Sequence, residues 1–240
     1  VETTNPEAYE FFLKAKHKYD KRENTDDIEI ARGLVNKAIE LDDNLIVAKN
    51  LLGSTYSDMG DYDEAMEIYT SSLKHVDELG DKRGMGQTLG NIGIVHSDKG
   101  DYEKALDYYN RSLAIQEGLG DKRGIGTSLN NIGIVHSNKG DYDKVLDYHE
   151  RALAIFEELG DKLGIGSVLG NIGIVHDDKG DYEKALDYYN RSLAIQEGLG
   201  DKSGMGGSLS NIGVVHANRG DYDKALDYFS RSLAIREELG

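Results

Sequence analysis

A repeat of 40 residues recurs almost unchanged through the last two thirds of the chain. The copy at Asp81–Gly120 is followed in register by copies at Asp121–Gly160, Asp161–Gly200 and Asp201–Gly240. The first and third of these copies differ at only five positions. A fixed period of this length is typical of a solenoid, in which each repeat buries its apolar face against its neighbours and no single large core is needed. The sequence therefore predicts an array of stacked repeats.

Two segments with helical periodicity make up each repeat. In Asp81–Gly120 the first predicted helix is Gly84–Lys99 and the second is Tyr102–Gly118. Between them, Gly100 can adopt the left-handed conformation that ends a helix, and Asp101 can cap the helix that follows. Each repeat is therefore predicted to be a helical hairpin.

The N-terminal third is a more divergent version of the same plan. Leu45–Asp58 and Tyr62–Glu78 form one predicted hairpin. Asn5–Arg22 and Ile28–Leu41 form another, with a polar break at Glu23–Asp27 as a longer turn. We expect an all-α solenoid forming one array over residues 1–240, with about six hairpins at residues 6–44, 45–80, 81–120, 121–160, 161–200 and 201–240. Because the chain begins with Val and ends with a repeat-closing Gly, we also expect a piece of a longer protein.

Apolar and small residues recur in each hairpin at the spacing of a buried helix face. Small residues at Gly93 and Ala105 would let the two helices approach closely. In the repeat at 81–120 the predicted buried residues are Leu89, Ile92, Gly93 and His96 in the first helix, and Tyr102, Ala105, Leu106, Tyr109, Ser112 and Leu113 in the second.

The same residues resemble a known family, the tetratricopeptide repeats. The pattern is Leu89, Ile92-Gly93, Gly100-Asp101-Tyr102 and Ala105, and it extends over Leu45–Gly240 and more weakly over Asn5–Asn44. The 40-residue period is similar to that of the subgroup with kinesin light chain and the Leu-Gly-Asn-repeat adaptors. The opening segment also resembles the linker before such arrays in some bacterial cyclase-like signalling proteins. The resemblance implies a right-handed superhelical solenoid that binds partner peptides or helices in its concave groove.

A second stripe lies on the opposite face of each first helix, about 180° from the buried one. Ile and Val recur there, on a face that would meet water in a lone hairpin, beside Asn, whose amide suits the backbone of an extended peptide. By the resemblance this stripe faces the groove; the alternative is that these Asn and Ile side chains pack against adjacent first helices. The predicted peptide-binding residues are Gln87, Asn91, Ile94 and Asp98, with counterparts Thr127, Asn131, Ile134 and Asn138, then Ser167, Asn171, Ile174 and Asp178, and finally Gly207, Asn211, Val214 and Asn218.

The charge of this stripe bears on the partner. No Lys or Arg occupies it in any of the four copies, so it does not resemble the carboxylate-clamp subgroup that holds acidic chaperone tails. Asp58, Asp98, Asp177 and Asp178 instead favour a neutral or basic segment. The leading hypothesis is a protein-interaction scaffold or adaptor.

Composition excludes several other classes. With 44 acidic and 28 basic residues the net charge is −16, which opposes binding to nucleic acid and to anionic membranes. The absence of Cys excludes disulfides and thiolate chemistry, and it is consistent with the cytoplasmic location that we expect. Residues 1–80 carry 18 acidic and 9 basic side chains, which indicates either a site for a cationic partner or a solvated surface.

We find no catalytic constellation, and we expect neither a cofactor nor a metal. Histidines one repeat apart, at packed-helix spacings of ~8–10 Å, cannot share an ion whose ligands lie within ~2–2.5 Å, so they are predicted to pack. The paired glycines follow a predicted helix and not a strand, which favours inter-repeat turns over a dinucleotide loop. The histidines are His96, His136, His176 and His216, and the glycines are Gly84 and Gly86, Gly124 and Gly126, Gly164 and Gly166, and Gly204 and Gly206.

One repeat departs from the pattern at two positions. Val145 replaces the close-contact Ala and adds bulk that would widen its hairpin. His149 stands where the other repeats have Tyr69, Tyr109, Tyr189 or Phe229. It is either a partly exposed histidine tolerated between packed helices or a pH-sensitive joint.

Two further functions stay open. The last predicted helix would expose Tyr222, Leu226, Phe229 and Leu233, and open solenoid ends are apolar, so the chain could assemble end to end or as a dimer. It could also be a regulatory or sensory module of a larger signalling enzyme.

Overall fold

A computed structural model of the protein describes residues 5–22 and 24–239, leaving aside the side chain of residue 143. Within these residues the chain forms twelve α-helices and no β-strand, which confirms the all-α prediction. The observed ends differ from the predicted ones by three residues at most, and Glu23 of the predicted break lies outside the described residues. The helices are α1 (Pro6–Asp20), α2 (Thr25–Leu41), α3 (Ile46–Asp58), α4 (Tyr62–Leu79), α5 (Lys82–Asp98), α6 (Tyr102–Leu119), α7 (Lys122–Asn138), α8 (Tyr142–Leu159), α9 (Lys162–Asp178), α10 (Tyr182–Leu199), α11 (Lys202–Asn218) and α12 (Tyr222–Leu239).

The chain divides into two compact units, Val1–Asp121 and Lys122–Gly240. The first unit holds α1–α6 and the second holds α7–α12, so each contains three hairpins. Odd-numbered helices are the first helices of their hairpins, and even-numbered helices are the second. The prediction of one array over residues 1–240 stays a prediction. None of the described helices combines the length and the apolarity that crossing a bilayer requires.

From α3 to α11, each helix is followed by a glycine in the left-handed conformation, both at the turns within hairpins and at the turns between them. Their φ angles lie between 64° and 84°, a region that residues with a Cβ rarely adopt. Gly100 has the conformation predicted for it. The nine glycines are Gly60, Gly80, Gly100, Gly120, Gly140, Gly160, Gly180, Gly200 and Gly220.

The prediction that Asp101 caps a helix with its side chain is wrong. Asp101 occupies the position before α6, but its carboxylate makes no capping hydrogen bond. Its Oδ2 instead lies 3.4 Å from Lys104 Nζ and 3.4 Å from His96 Nδ1. Side-chain capping occurs between hairpins, where Asp81 Oδ1 accepts from the Gly84 N–H at 3.0 Å.

The paired glycines do not belong to turns, contrary to the prediction. Gly84 and Gly86 lie in the first turns of α5, because this helix begins at Lys82. A Cβ at Gly86 would lie 3.3 Å from Ile115 Cγ2 on the second helix of the hairpin. These glycines therefore serve helix packing. The same correction applies to Gly124, Gly126, Gly164, Gly166, Gly204 and Gly206, which lie at the same positions of α7, α9 and α11.

Five of the six hairpins, from α3–α4 to α11–α12, are closed by a glycine of the first helix against a ring of the second helix. A Cβ on Gly173 would lie 2.6 Å from Cε1 of Tyr189, whose side chain is 1% exposed. The prediction that Phe229 is exposed is wrong for the same reason, since its ring covers Gly213 and is half-buried. The contacting pairs are Gly53 with Tyr69, Gly93 with Tyr109, Gly133 with His149, Gly173 with Tyr189, and Gly213 with Phe229.

Successive hairpins stack through an apolar layer and an ion pair at its edge. In the second unit, Tyr189 of α10 shares a buried cluster with Leu209 and Ile212 of α11. At the end of α11, Arg219 Nη1 lies 2.7 Å from Glu183 Oε1 of α10. Each repeat therefore buries its apolar face on a neighbour, as the period predicted.

The first helices form the inner side of each unit. Helix α3 contacts α5 in the first unit, and α9 contacts both α7 and α11 in the second. Successive second helices of one unit make no such contact within the described residues. The hairpins are therefore closest together along their first helices, and this is the side on which the predicted binding stripe lies.

Candidate functional site

Within each unit, the predicted binding residues lie on the solvent-facing side of the first helices. In α5, Ile94 is 39% exposed and Asn91 beside it is half-buried. In the second unit Ile174 and Val214 are 39% and 40% exposed, whereas Ile134 is half-buried. We call these residues the first-helix surface. It comprises Gln87, Asn91, Ile94 and Asp98 in the first unit, and Thr127, Asn131, Ile134, Asn138, Ser167, Asn171, Ile174, Asp178, Gly207, Asn211, Val214 and Asn218 in the second.

The asparagines of this surface are not equivalent. Asn171 Nδ2 of α9 donates to Asn130 Oδ1 of α7 at 3.0 Å, so packing between first helices, the alternative left open by the sequence, does occur at this position. Asn131 and Asn211 make no side-chain hydrogen bond within the described residues. Both are half-buried, and their amides therefore remain available to a ligand.

Carboxylates gather at the C-terminal ends of the first helices of the first unit. Asp58 of α3 accepts a hydrogen bond from Tyr19 Oη at 2.8 Å and pairs with Arg22 Nη2 at 2.8 Å. Burial and the nearby charge of Asp58 raise the pKa of Asp98 on α5 above its usual range. A cation brought by a ligand would relieve this repulsion and would also complement the negative ends of the helix dipoles.

The second unit has a corresponding acidic pair at the end of α9. Burial and the charge of Asp178 raise the pKa of Asp177. The neighbouring first helices end in Asn138 and Asn218 at the position of Asp178, so the acidic pair is flanked by neutral side chains. Both units thus present negative charge at the same end of the first-helix surface.

The repeated histidines pack in the same way in four hairpins, as predicted. The His96 ring stacks on the Tyr108 ring with centroids 5.4 Å apart and an interplanar angle of 10°. Arg111 covers Tyr108 at 5.1 Å from the ring centroid. Within the described residues no three His, Asp or Glu side chains come together as metal ligands. The other stacked pairs are His136 with Tyr148, His176 with Tyr188, and His216 with Tyr228.

His149 is a buried histidine, and the prediction that it is partly exposed is wrong. Its side chain is 1% exposed because it faces Gly133 across the hairpin. Burial lowers the pKa of His149 to about 4. Its Nδ1 has no hydrogen-bond partner within the described residues. Val145, one turn earlier in the helix, is also fully buried. This hairpin thus has Val145 where the others have the smaller Ala, and His149 where most of them have the larger Tyr.

Two hydrogen bonds of this region were not predicted from the sequence, one between Tyr19 and Asp58 and one between Asn171 and Asn130. Tyr19 and Asp58 are 39 residues apart and belong to different hairpins, so no local pattern connects them. Asn130 occupies the position of Gly90, Gly170 and Ser210 in the other repeats. This difference is the feature of the sequence that could have indicated its hydrogen bond to Asn171.

Family comparison agrees with this geometry. The family model described as "Tetratricopeptide repeat" matches residues 44–118 and 124–198, and a second model with the same description matches residues 208–239. No curated protein sequence matches the chain.

Solved structures with the same fold have low sequence identity to this chain. BtubC (BKLC) from P. vanneervenii is 20% identical, with 99% of this chain and 93% of that chain covered and a TM-score of 0.68. A Rap protein in complex with Competence and Sporulation Factor is 16% identical, with 99% and 77% covered and a TM-score of 0.75. Repeats of Podosopora anserina assigned to kinesin light chain are 13% identical, with 81% and 96% covered and a TM-score of 0.62.

Proposed function

Because the chain belongs to the tetratricopeptide-repeat family, we propose that its first-helix surface binds a segment of a partner protein and that the chain acts as a scaffold or adaptor, not as an enzyme. The observation that carries the proposal is the recurrence of one half-buried Asn beside one aliphatic side chain on three adjacent first helices. In the second unit these are Asn131, Asn171 and Asn211 with Ile134, Ile174 and Val214.

Such a surface suits an extended or helical polypeptide. An Asn amide can donate to a backbone carbonyl and accept from a backbone N–H, so a row of them can hold a main chain whatever its sequence. The exposed Ile174 and Val214 would then cover apolar side chains of the ligand. The Rap protein solved with Competence and Sporulation Factor supports this use of the fold.

A neutral or basic segment is the ligand that fits the charge of the surface. Asp98 and Asp178 lie at its C-terminal end, and neither Lys nor Arg occurs among its residues. The acidic groups would raise the association rate of a cationic segment and its preference over an acidic one more than they would raise the affinity.

Replacement of two asparagines should weaken the partner. We expect Asn131→Ala with Asn211→Ala to cost about 2 kcal/mol of binding, about thirtyfold in affinity, because each loses hydrogen bonds worth about 1 kcal/mol. The measurement is isothermal titration with the segment identified after capture from a lysate. Asn171→Ala should have a smaller effect, since its Nδ2 is already bonded to Asn130.

The matched control is Asn190→Ala. Asn190 lies on the second helix α10, and its Nδ2 donates to the Leu186 carbonyl of its own helix at 2.7 Å. This variant should bind with unchanged affinity. If the control and the double variant weaken binding equally, the assignment of the surface fails.

Self-association is a second candidate function, supported by the outer face of α12. Tyr222, Leu226 and Leu233 are 68%, 64% and 56% exposed. Their counterparts on α10 belong to the buried cluster with α11 or pack against it; they are Tyr182, Leu186 and Leu193. Three large apolar side chains on one helix face are typical of an interaction surface.

Light scattering over a wide range of concentration tests this candidate. We expect the wild-type mass to rise with concentration to roughly twice the monomer value, as for a symmetric dimer. Leu226→Glu with Leu233→Glu should remain monomeric. Leu163→Glu, at a residue that is 63% exposed on α9, is the control and should behave like wild type. A wild-type chain that is monomeric throughout rejects the candidate.

A further inference from the structure

The last residue of a first helix and the ring that closes its hairpin change together along the chain. Where the helix ends in Asp, the ring is that of Tyr, and where it ends in Asn, the ring is that of His or Phe. A hydroxyl therefore accompanies each of these carboxylates. The Asp–Tyr pairs are Asp58 with Tyr69, Asp98 with Tyr109, and Asp178 with Tyr189, and the other pairs are Asn138 with His149 and Asn218 with Phe229.

The tyrosine of such a pair ends at the first-helix surface. In the second hairpin Tyr69 Oη lies 3.0 Å from Ser54 Oγ. The counterpart of Ser54 in the next hairpin is Ile94, an exposed residue of the surface that has no hydroxyl. Tyr109 and Tyr189 are only 3% and 1% exposed, and their hydroxyls make no hydrogen bond in the part of the chain that the structure describes. Each is thus a buried tyrosine whose polar end has no partner.

The carboxylates beside these hydroxyls have no cation of their own. Asp98 and Asp178 are exposed at the ends of α5 and α9 and form neither an ion pair nor a hydrogen bond with any other described residue. Lys99, the next residue after α5, pairs with a carboxylate of α4 at 3.0 Å. Burial and the charge of Asp98 raise the pKa of Tyr109, and burial and the acidic pair at the end of α9 raise that of Tyr189. Each hydroxyl is therefore close to a carboxylate without being bonded to it.

In the remaining Asp–Tyr pair the chain itself supplies the cation. Arg22 Nη2 lies 2.8 Å from Asp58 Oδ2, and Tyr19 Oη donates to the same carboxylate oxygen at 2.8 Å. The Arg22 guanidinium also lies over the Tyr19 ring, 4.0 Å from its centroid. The fold thus already contains one guanidinium bound by a carboxylate at the end of a first helix, beside a tyrosine.

We propose that Asp98 with Tyr109 in the first unit, and Asp178 with Tyr189 in the second, each bind one cationic side chain of the partner segment. This inference rests on the proposed function and names the side chain that the acidic end of the first-helix surface recognises. The carboxylate would neutralise the charge, and the tyrosine oxygen would accept a second N–H, because Arg and Lys carry several donors and no acceptor. The negative end of the helix dipole adds to the attraction.

Two peptides that differ by one charge test the proposal on the full chain. Acetyl-Leu-Ala-Arg-Ala-Leu-amide and the same peptide with citrulline, a neutral residue of the same shape, in place of Arg are titrated, and backbone amide shifts are followed by NMR. We expect the Arg peptide to shift the resonances of Ile94, Asp98, Ile174 and Asp178. It should bind about fivefold more tightly than the citrulline peptide, a difference that shrinks in high salt.

Removal of the carboxylates should abolish this difference. Asp98→Asn with Asp178→Asn introduces the residue that α7 and α11 already have at this position, so the hairpins should still fold. The matched control is Asp107→Asn with Asp187→Asn, which changes the net charge equally but on the second helices. This control should keep the fivefold difference.

Removal of the hydroxyls should have a smaller effect. Tyr109→Phe with Tyr189→Phe introduces the ring that Phe229 has at this position. The Arg peptide should lose about two- to threefold in affinity, because one hydrogen-bond acceptor is gone. Tyr69→Phe is the control and should bind like wild type, since the Tyr69 hydroxyl is already bonded to Ser54.

The possible failures separate this inference from the proposed function. Equal binding of the two peptides with shifts at the first-helix surface, or an unchanged difference in the Asp98→Asn and Asp178→Asn variant, would overturn the inference alone. Shifts confined to the second helices, or no shifts with either peptide, would overturn both.

Discussion

Gly173→Val should lower the free energy of unfolding by about 3 kcal/mol, the upper end of the usual cost of overpacking. The first added carbon would lie 2.6 Å from the Tyr189 ring, which is 1% exposed and therefore cannot move away without disturbing α10 and α11. Urea unfolding followed by circular dichroism measures the loss.

Gly207→Ala is the control for this substitution in the same unit. Gly207 is also inside a first helix, but a Cβ there would meet nothing within 4 Å. Because Ala is the better helix former, we expect stabilisation by about 0.5–1 kcal/mol. Two changes of the same sign and size would show that the close contact with Tyr189 does not limit the packing of the hairpin.

The stability of the second unit should depend on His149 between pH 7 and pH 4. Burial lowers its pKa from 6.5 to about 4. Between these two pH values His149 is therefore protonated in the unfolded chain and neutral in the folded chain. The contribution of neutral His149 to the free energy of unfolding is fully present above pH 6.5. It decreases as the pH falls below that value and is lost at about pH 4. The shift corresponds to about 3 kcal/mol of stability over this interval.

A variant with the residues of the other repeats should lack this dependence. His149→Tyr with Val145→Ala restores the pair found as Tyr109 and Ala105, or Tyr189 and Ala185. Its unfolding free energy should fall by about 3 kcal/mol less than that of wild type over the same interval. Equal pH dependence of the two proteins would contradict the burial of a neutral His149. His176, whose pKa burial also lowers, is present in both and cancels in the comparison.

The hairpin architecture was predictable because the same helix-ending and apolar positions recur in every repeat. The Gly-Asp pair at Gly100-Asp101 recurs in register, and the glycine has the left-handed φ of 77° expected of a helix end. The missing side-chain cap was not predictable, since it accompanies the backbone angles of the turn: ψ is 59° at Asp101 and 86° at Asp81, which does cap its helix. Nor was the packing role of Gly84, because it depends on Val76 of the preceding helix, whose Cγ1 would lie 2.9 Å from a Cβ at Gly84.

The candidate site was predictable only as a pattern of exposure. Helical periodicity placed Asn91 and Ile94 opposite the buried Ile92, and the structure has them on that side. Contacts across repeats lay beyond the sequence, as with Asn171 and Asn130, because they depend on side-chain directions on two helices.

A photo-crosslinking residue placed at Ile174 tests the central claim most directly. Ile174 is 39% exposed in the middle of the three first helices of the second unit, and a crosslinker at Asn190 on α10 serves as the control. We predict that the partner segment is crosslinked from position 174 and not from position 190. Crosslinking from position 190 with none from position 174 would contradict binding at the first-helix surface.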